Sequence, residues 1–444
     1  MAAVITQNPN LTTSAYTPMV YVLTGLTTED RYVLRVNIAG VGVATFKQPA
    51  NPAGVGIFDI SKVIQSYLAP EPVETTQFFT DSIGAYVSYQ VEAWLETGQT
   101  QGTIATDITR FAINAYDNWR SLGGDLTPFI PTPTTRVCET NSNLNAVYSQ
   151  PYRFLTNYPG EYSVRRDEYN TLSFFAKVDG GGANLGPNEA PFFCLISFYT
   201  AGILQVQVPF TIAQLYGSTL RTNCQDMTVT LNDDNAITTL GTGVQNFTDA
   251  GINMAPYDKY VIDIKSYNHC MTTTIQDCQD YGEILIDGYL GDTIYTATFN
   301  IDDTCEKFEP ITVSFMNQYG VQDYYTFDKR NTRRVQTKRN EYTQSPDSWS
   351  SSTFTINQTG RGRTVFSSAS NTEMTLSTNW MDDATSEWLQ ELFASPSTLI
   401  YVNNQWEPVV ITTATYEQKT YARNQLFQHE LTVRFANNQK LQRG

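Results

Sequence analysis

Two histidines, His269 and His429, are the chain's whole supply of side chains that titrate near neutral pH. A Ser–His or Cys–His hydrolase needs one of them held beside a nucleophile as its base. His269 adjoins Cys270, with Cys278 eight residues further on. A zinc site would want ligand pairs spaced as C-x₂₋₄-C, and none is present. His429 lies in an alternating strand and is expected to pack at a surface. Carboxylate pairs occur at Asp233–Asp234, Asp302–Asp303 and Asp382–Asp383. A glycosidase needs two carboxylates flanking one bond, whereas these pairs read as turn residues or, at 382–383, as a helix cap. None has EF-hand spacing. The glycine-rich pieces GVGVATF (40–46) and DGGGANLG (179–186) match neither a P-loop nor a dinucleotide fingerprint. The expectation is a non-enzyme with no catalytic, cofactor or metal site.

One run stands out by charge. KRNTRRVQTKR (329–339) places Lys329, Arg330, Arg333, Arg334, Lys338 and Arg339 within eleven residues, six of the chain's 28 bases. It can serve as an electropositive subunit interface, as a solvated loop or edge strand, or as a nucleic-acid contact. No aromatic platform is interleaved with it, so single-strand binding is poorly supported. In a chain of net charge -16 the favoured reading is pairing with an acidic neighbouring subunit.

The elements that must carry these residues read mainly as strands. Tyr32, Leu34, Val36 and Ile38 alternate at period two within RYVLRVNIAGVGVATF. A short helix is expected over 60–68, capped by Asp59, with Val63, Ile64, Tyr67 and Leu68 on one face and Pro70 as its stop. Further strands are expected at 86–96, 107–116, 172–175, 192–199, 203–210 and 259–264, with turn signals between them. One longer helix is expected over 383–394, capped by Asp382 or Asp383, with Trp388, Leu389, Leu392 and Phe393 as its buried stripe. The fold class is therefore mainly β: multidomain β-sandwich or barrel modules with a few short helices. Three regions are expected: an N-terminal β domain over 1–135, a middle β-rich domain over 136–295, and a C-terminal β domain over 296–444.

Composition agrees. Tyr 27, Phe 23 and Trp 6 are abundant, and charged residues are only 16%. Forty-four acids against 28 bases argue against a general nucleic-acid binder. No stretch approaches the ~18 apolar residues of a membrane span. Cys138, Cys194, Cys224, Cys270, Cys278 and Cys305 form no CxxC pair, and no signal peptide is read at MAAVITQNPN. The cysteines are expected as buried thiols made in a reducing cytoplasm, although their even number leaves disulfides open.

The segment TATFNIDDTCEKFEPITVSFMNQYGVQDYYTFDKRN resembles structural proteins of tailed bacteriophages, particularly phages of Bacteroidetes and aquatic hosts. A Cys after an Asp-rich turn, an apolar strand ending F-x-N-x-x-G, and then D-Y/F-x-x-F carry the likeness. Here these are Cys305, Phe315, Asn317, Gly320, Asp323, Tyr324 and Phe327. GVGIFDISKVIQSYL near the start and WLQELFASPSTLIYVNNQWEPVVITTATYEQKT near the end are similar too. The resemblance implies a virion component of the tail, baseplate or neck, made in the host cytoplasm. Its expected partners are itself, as a ring or hub, and other virion proteins. A receptor- or glycan-binding protein at the tail tip is the alternative, since aromatic faces stack on sugars. A glycan-cleaving tail enzyme is the third reading.

Overall fold

The computed structural model describes residues 3–25, 30–70, 79–82, 84–98, 100–116, 126, 128–131, 134–137, 144–147, 151–175, 193–211, 237–267, 290–304, 307–344, 347–356, 362–413, 426–436 and 440–443. The chain separates into two compact units. Unit 1 is Met1–Asp303 with Met316–Asp323, and unit 2 is Thr304–Phe315 with Tyr324–Gly444. The molecule is mainly β, with several sheets and three short helices among the described residues. The expected regions 1–135 and 136–295 both lie in unit 1, each with an apolar cluster of its own.

The first cluster lies between two sheets. A seven-stranded sheet runs Thr12–Ser14, Arg110–Ile113, Tyr86–Thr97, Asp30–Ile38, Val41–Pro49, with Thr100–Gln101 and Ala105–Thr106 also pairing on Tyr86–Thr97. A three-stranded sheet runs Val4–Gln7, Val20–Thr24, Gly56–Asp59. The period-two pattern sends Tyr32, Leu34 and Val36 inward, where they meet Tyr21, Leu23 and Phe58 of the smaller sheet. Gly56 is required here, because a Cβ would come within 2.7 Å of the Tyr32 ring. The expected helix over 60–68 is shorter, Ser61–Gln65. Asp59 is not its N-cap residue: its Oδ1 accepts from the Ser61 and Met19 amides at 2.9 and 3.1 Å, tying the helix entry to strand Val20–Thr24. Ile64 and Leu68 are buried, whereas Tyr67 is exposed.

The second cluster also lies between two sheets. The larger runs Tyr162–Val164, Leu290–Ile301, Lys259–Tyr267, Phe193–Thr200, Ile203–Thr211; its first pair is parallel and the others antiparallel. The smaller runs Thr171–Phe175, Ile237–Gly241, Phe79–Asp81. Phe174, Leu240 and Phe247 meet Ile196, Phe198, Tyr260 and Phe299 across this core. Cys194 is buried there as a free thiol, and burial pushes its ionisation upward. Strand Ile203–Thr211 forms an edge, carries no charged residue, and exposes Ile203, Leu204 and Val206.

Unit 2 is built on an eight-stranded sheet: Gln322–Phe327, Ile311–Met316, Thr398–Val402, Gln405–Ile411, Glu430–Phe435, Arg363–Ser377, Asn331–Thr343, with Lys440–Arg443 also on Arg363–Ser377. Helix Asp383–Ala394 starts where expected. Asp382 is its N-cap and accepts from the Thr385 amide at 2.9 Å. That bond holds the Asp382 carboxyl below its ordinary range. Trp388, Leu389 and Leu392 are buried, whereas Phe393 is only half-buried. The Trp388 ring meets Phe315 and Tyr325, at centroid distances of 5.5 and 6.2 Å. Tight hairpins at Ala39–Gly40, Ala201–Gly202 and Asn403–Asn404 each set two successive residues at positive φ, as a two-residue type I′ turn requires.

Candidate interaction surface

The basic run forms one strand. Asn331–Thr343 mixes Thr, Val and Tyr with long basic stems, a composition that tolerates an extended, solvated backbone. It pairs antiparallel with Arg363–Ser377 from Asn331↔Leu376 to Thr343↔Arg363, with one bulge between Asn340 and Glu341. It is the last strand of the sheet, so no described strand pairs with its other edge. Residues 332–343 are exposed on both faces. At the usual rise, 13 residues make an open edge about 43 Å long.

Along this edge the six cations separate into two groups. Lys329 is half-buried and pairs with Asp328 at 2.9 Å, and the Arg333 guanidinium lies over the Phe435 ring at 5.5 Å. Arg330, Arg334, Lys338 and Arg339 are exposed, and none has an ion-pair partner among the described residues. The one acid in the strand, Glu341, faces Arg363 at 3.9 Å. Apolar side chains accompany the charges: Val335 is 61% exposed, Tyr342 45% and Phe366 55%. A surface that is both cationic and apolar is suited to protein contact, because aromatic anchors and arginines carry most interface energy.

The other residues singled out by type have structural partners. His429 is buried, contrary to the expected surface position; its Nε2 is 2.9 Å from Ser386 Oγ in the first turn of the longer helix. Ser386 is fully buried, so no substrate reaches this pair. Arg166 clasps Asp303 with two contacts of 2.6 Å, and this bond holds the Asp303 carboxyl low. Asp382 caps its helix. His269, Cys270, Cys278, Cys138, Cys224, Cys305, Asp233–Asp234 and the 179–186 glycines lie outside the described residues. Among the described residues no three His, Cys, Asp or Glu side chains are placed to hold a metal, and no helix is long and apolar enough to cross a membrane.

Sequence reasoning missed two features of unit 1. One is a buried clasp. Asp107 Oδ2 accepts from Arg110 Nε at 2.6 Å and from Tyr21 Oη at 3.0 Å, while Arg110 Nη1 donates to the Pro9 carbonyl at 2.6 Å. Burial would raise the Asp107 carboxyl, but the bonds and charge of Arg110 outweigh it and hold it low. Burial also pushes the nearby Tyr89 phenol up to about 12. Only the D-x-x-R spacing hinted at this. The other is a cleft of about 430 Å³ lined by Tyr152, Arg153, Tyr158, Glu161, Tyr162 and Thr296 among others. It opens where the chain leaves the sheet between the Tyr152↔Tyr295 bridge and the Tyr162↔Phe299 pair. Tyr162 stacks on both Tyr158 and Phe299, at 4.4 and 4.7 Å. Glu161 is the one carboxylate in its lining, and it accepts from Asn300 Nδ2 at 2.7 Å.

Of the residues in the F-x-N-x-x-G and D-Y/F-x-x-F patterns, those among the described residues serve packing and turn geometry. Asn317 is buried, donates to the Leu155 carbonyl at 2.8 Å and accepts from the Tyr319 amide at 2.9 Å. Gly320 sits at φ 75°, and a Cβ there would come within 2.4 Å of the Asn114 carbonyl. Asp323 accepts from Thr156 Oγ1 at 2.8 Å. Phe315, Tyr324 and Phe327 are buried.

No protein-family model and no curated protein matches the chain. Similar solved structures include extracellular domains 3–5 of Drosophila OTK, at 10% identity and TM-score 0.19, covering 84% of this chain and 92% of that one. The chicken interferon gamma receptor alpha chain is similar at 9% identity and TM-score 0.17, covering 68% and 98%. Chicken CNTN1 FN1–FN3 domains are similar at 11% identity and TM-score 0.14, covering 67% and 66%. Likenesses at such scores carry no weight for function, and the fold stands on its own sheets.

Proposed function

We propose that the chain is a structural component of a tailed-phage virion, part of the tail, baseplate or neck, assembling with itself and with other virion proteins. The observation that carries the assembly role is the open edge of strand Asn331–Thr343, cationic and partly apolar in an acidic chain. The phage assignment rests on the sequence resemblance, whose Asn317, Gly320 and Asp323 serve packing and turn geometry. Catalysis has little to draw on: the one described Ser–His pair is buried, and the cleft offers one carboxylate where glycoside hydrolysis uses two. Antibody raised against the chain should label a fixed position on purified tailed particles of the phage that encodes it. Particles that lack the chain by mass spectrometry would overturn the proposal.

A second reading, glycan binding at a tail tip, is favoured by the tyrosine-lined cleft alone. Titration with host-surface oligosaccharides tests it, and loss of binding in Tyr158→Ala is the expected support.

A further inference from the structure

The assembly reading says nothing of which surfaces meet or with what symmetry. Resting on that reading, we infer that the open edge of strand Asn331–Thr343 docks head-to-tail on a different, acidic face of a second copy of this chain.

Charge selects the occupant. Outside the 329–339 run the chain holds 22 bases against 44 acids, a net of -22, so another copy offers acidic surface at the concentration of the protein itself. Nucleic acid is the other polyanion, but exposed Val335, Tyr342 and Phe366 on the same hairpin have no use on a phosphate backbone. The remaining negative charge also opposes approach to it.

Charge also excludes the simplest symmetry. A two-fold pairing of this edge with its own copy would gather along one seam two sets of Arg333, Arg334, Lys338 and Arg339. That is eight cations against only two copies of Glu341. Like charges across a strand pair are destabilising, and cations on an edge are the usual guard against such pairing. The contact must then join unlike surfaces. Joined in one direction only, as in this head-to-tail contact, unlike surfaces propagate, closing into a ring if the rotation between copies permits and extending into a filament if it does not.

The symmetry is testable by mixing. Lys338 and Arg339 lie across from Ala369 and Ser368, so Lys338→Glu with Arg339→Glu leaves the hairpin's own charge pairs untouched. Native mass should be measured on the full chain at low and at high salt, with circular dichroism confirming that the variant is folded. Expected results are oligomers for wild type at low salt, a loss of association of tenfold or more at 1 M salt, and a monomeric variant. In an equimolar mixture the variant lacks a working edge yet keeps its acidic face, so it should cap wild-type assemblies and shorten them. Zero-length carbodiimide coupling should join Lys338 of wild type to a carboxylate of another copy.

Several outcomes would overturn the inference. If mixing produces a wild-type–variant dimer that neither protein forms alone, the contact is two-fold. If the variant oligomerises like wild type, the edge is not the contact. If wild type stays monomeric at every salt but binds duplex DNA through Lys338 and Arg339, the occupant is nucleic acid. A wild type that is monomeric and binds no DNA also removes the second copy as occupant. The virion reading then stands or falls separately on particle labelling.

Discussion

Asp107 and Arg110 show how much a single buried pair can hold. Their side chains are 8% and 7% exposed, and their bonds reach strands Val20–Thr24 and Arg110–Ile113 together with the Pro9 carbonyl. Asp107→Asn keeps the shape but leaves Arg110 buried without its counter-charge. The expected cost is about 3–5 kcal/mol in denaturant unfolding; a loss below about 1 kcal/mol would show that solvent reaches the guanidinium. His429 makes a second residue-scale prediction. Burial lowers its imidazole below the ordinary value, so protonation favours the unfolded chain. Unit 2 should be at full stability above about pH 6.5, lose it as the pH falls below that value, and level off beneath the lowered folded value. His429→Gln, unable to take the proton, should flatten that slope in unfolding measured between pH 7.5 and 5. Beyond the D-x-x-R spacing of Asp107 and Arg110, neither site was legible in the sequence. Ser386 lies 43 residues from His429, and Tyr21 lies 86 from Asp107. Local patterns report nothing about partners that far along the chain.

Elements were easier to read than partners, wherever one face is buried. Tyr32, Leu34 and Val36 announce their strand because alternate side chains must leave water. Helix Asp383–Ala394 announces itself through an Asp cap and a stripe at helical spacing. The neighbours of Trp388, Phe315 and Tyr325, were not legible, because a helical stripe says which face is buried but not what covers it. Trp388→Ala should cost about 3–5 kcal/mol, since it empties a site walled by Phe315 and Tyr325. An effect under about 1 kcal/mol in thermal or denaturant unfolding would place the indole in solvent. Strand Asn331–Thr343 was legible as a concentration of charge. Its position at the end of an eight-stranded sheet was not, because edge status depends on which strands do not arrive.

At the scale of the whole molecule, charge balance and sheet edges act together. Among the described residues, two strands that end their sheets have opposite characters. Asn331–Thr343 is guarded by cations, whereas Ile203–Thr211 has no charge at all and exposes Ile203, Leu204 and Val206. Near neutral pH the net charge of -16 opposes non-specific clustering of the chain. That protection disappears close to the isoelectric point of about 4.6. Strand Ile203–Thr211 is then expected to seed precipitation. Light scattering should rise steeply as the protein is titrated towards that pH, and Val206→Lys should delay the rise. If the lysine variant clouds at the same pH and rate as wild type, the seed lies elsewhere. On this reasoning the purified protein should keep longest in a buffer well above pH 5, where its negative charge holds these uncharged strands apart.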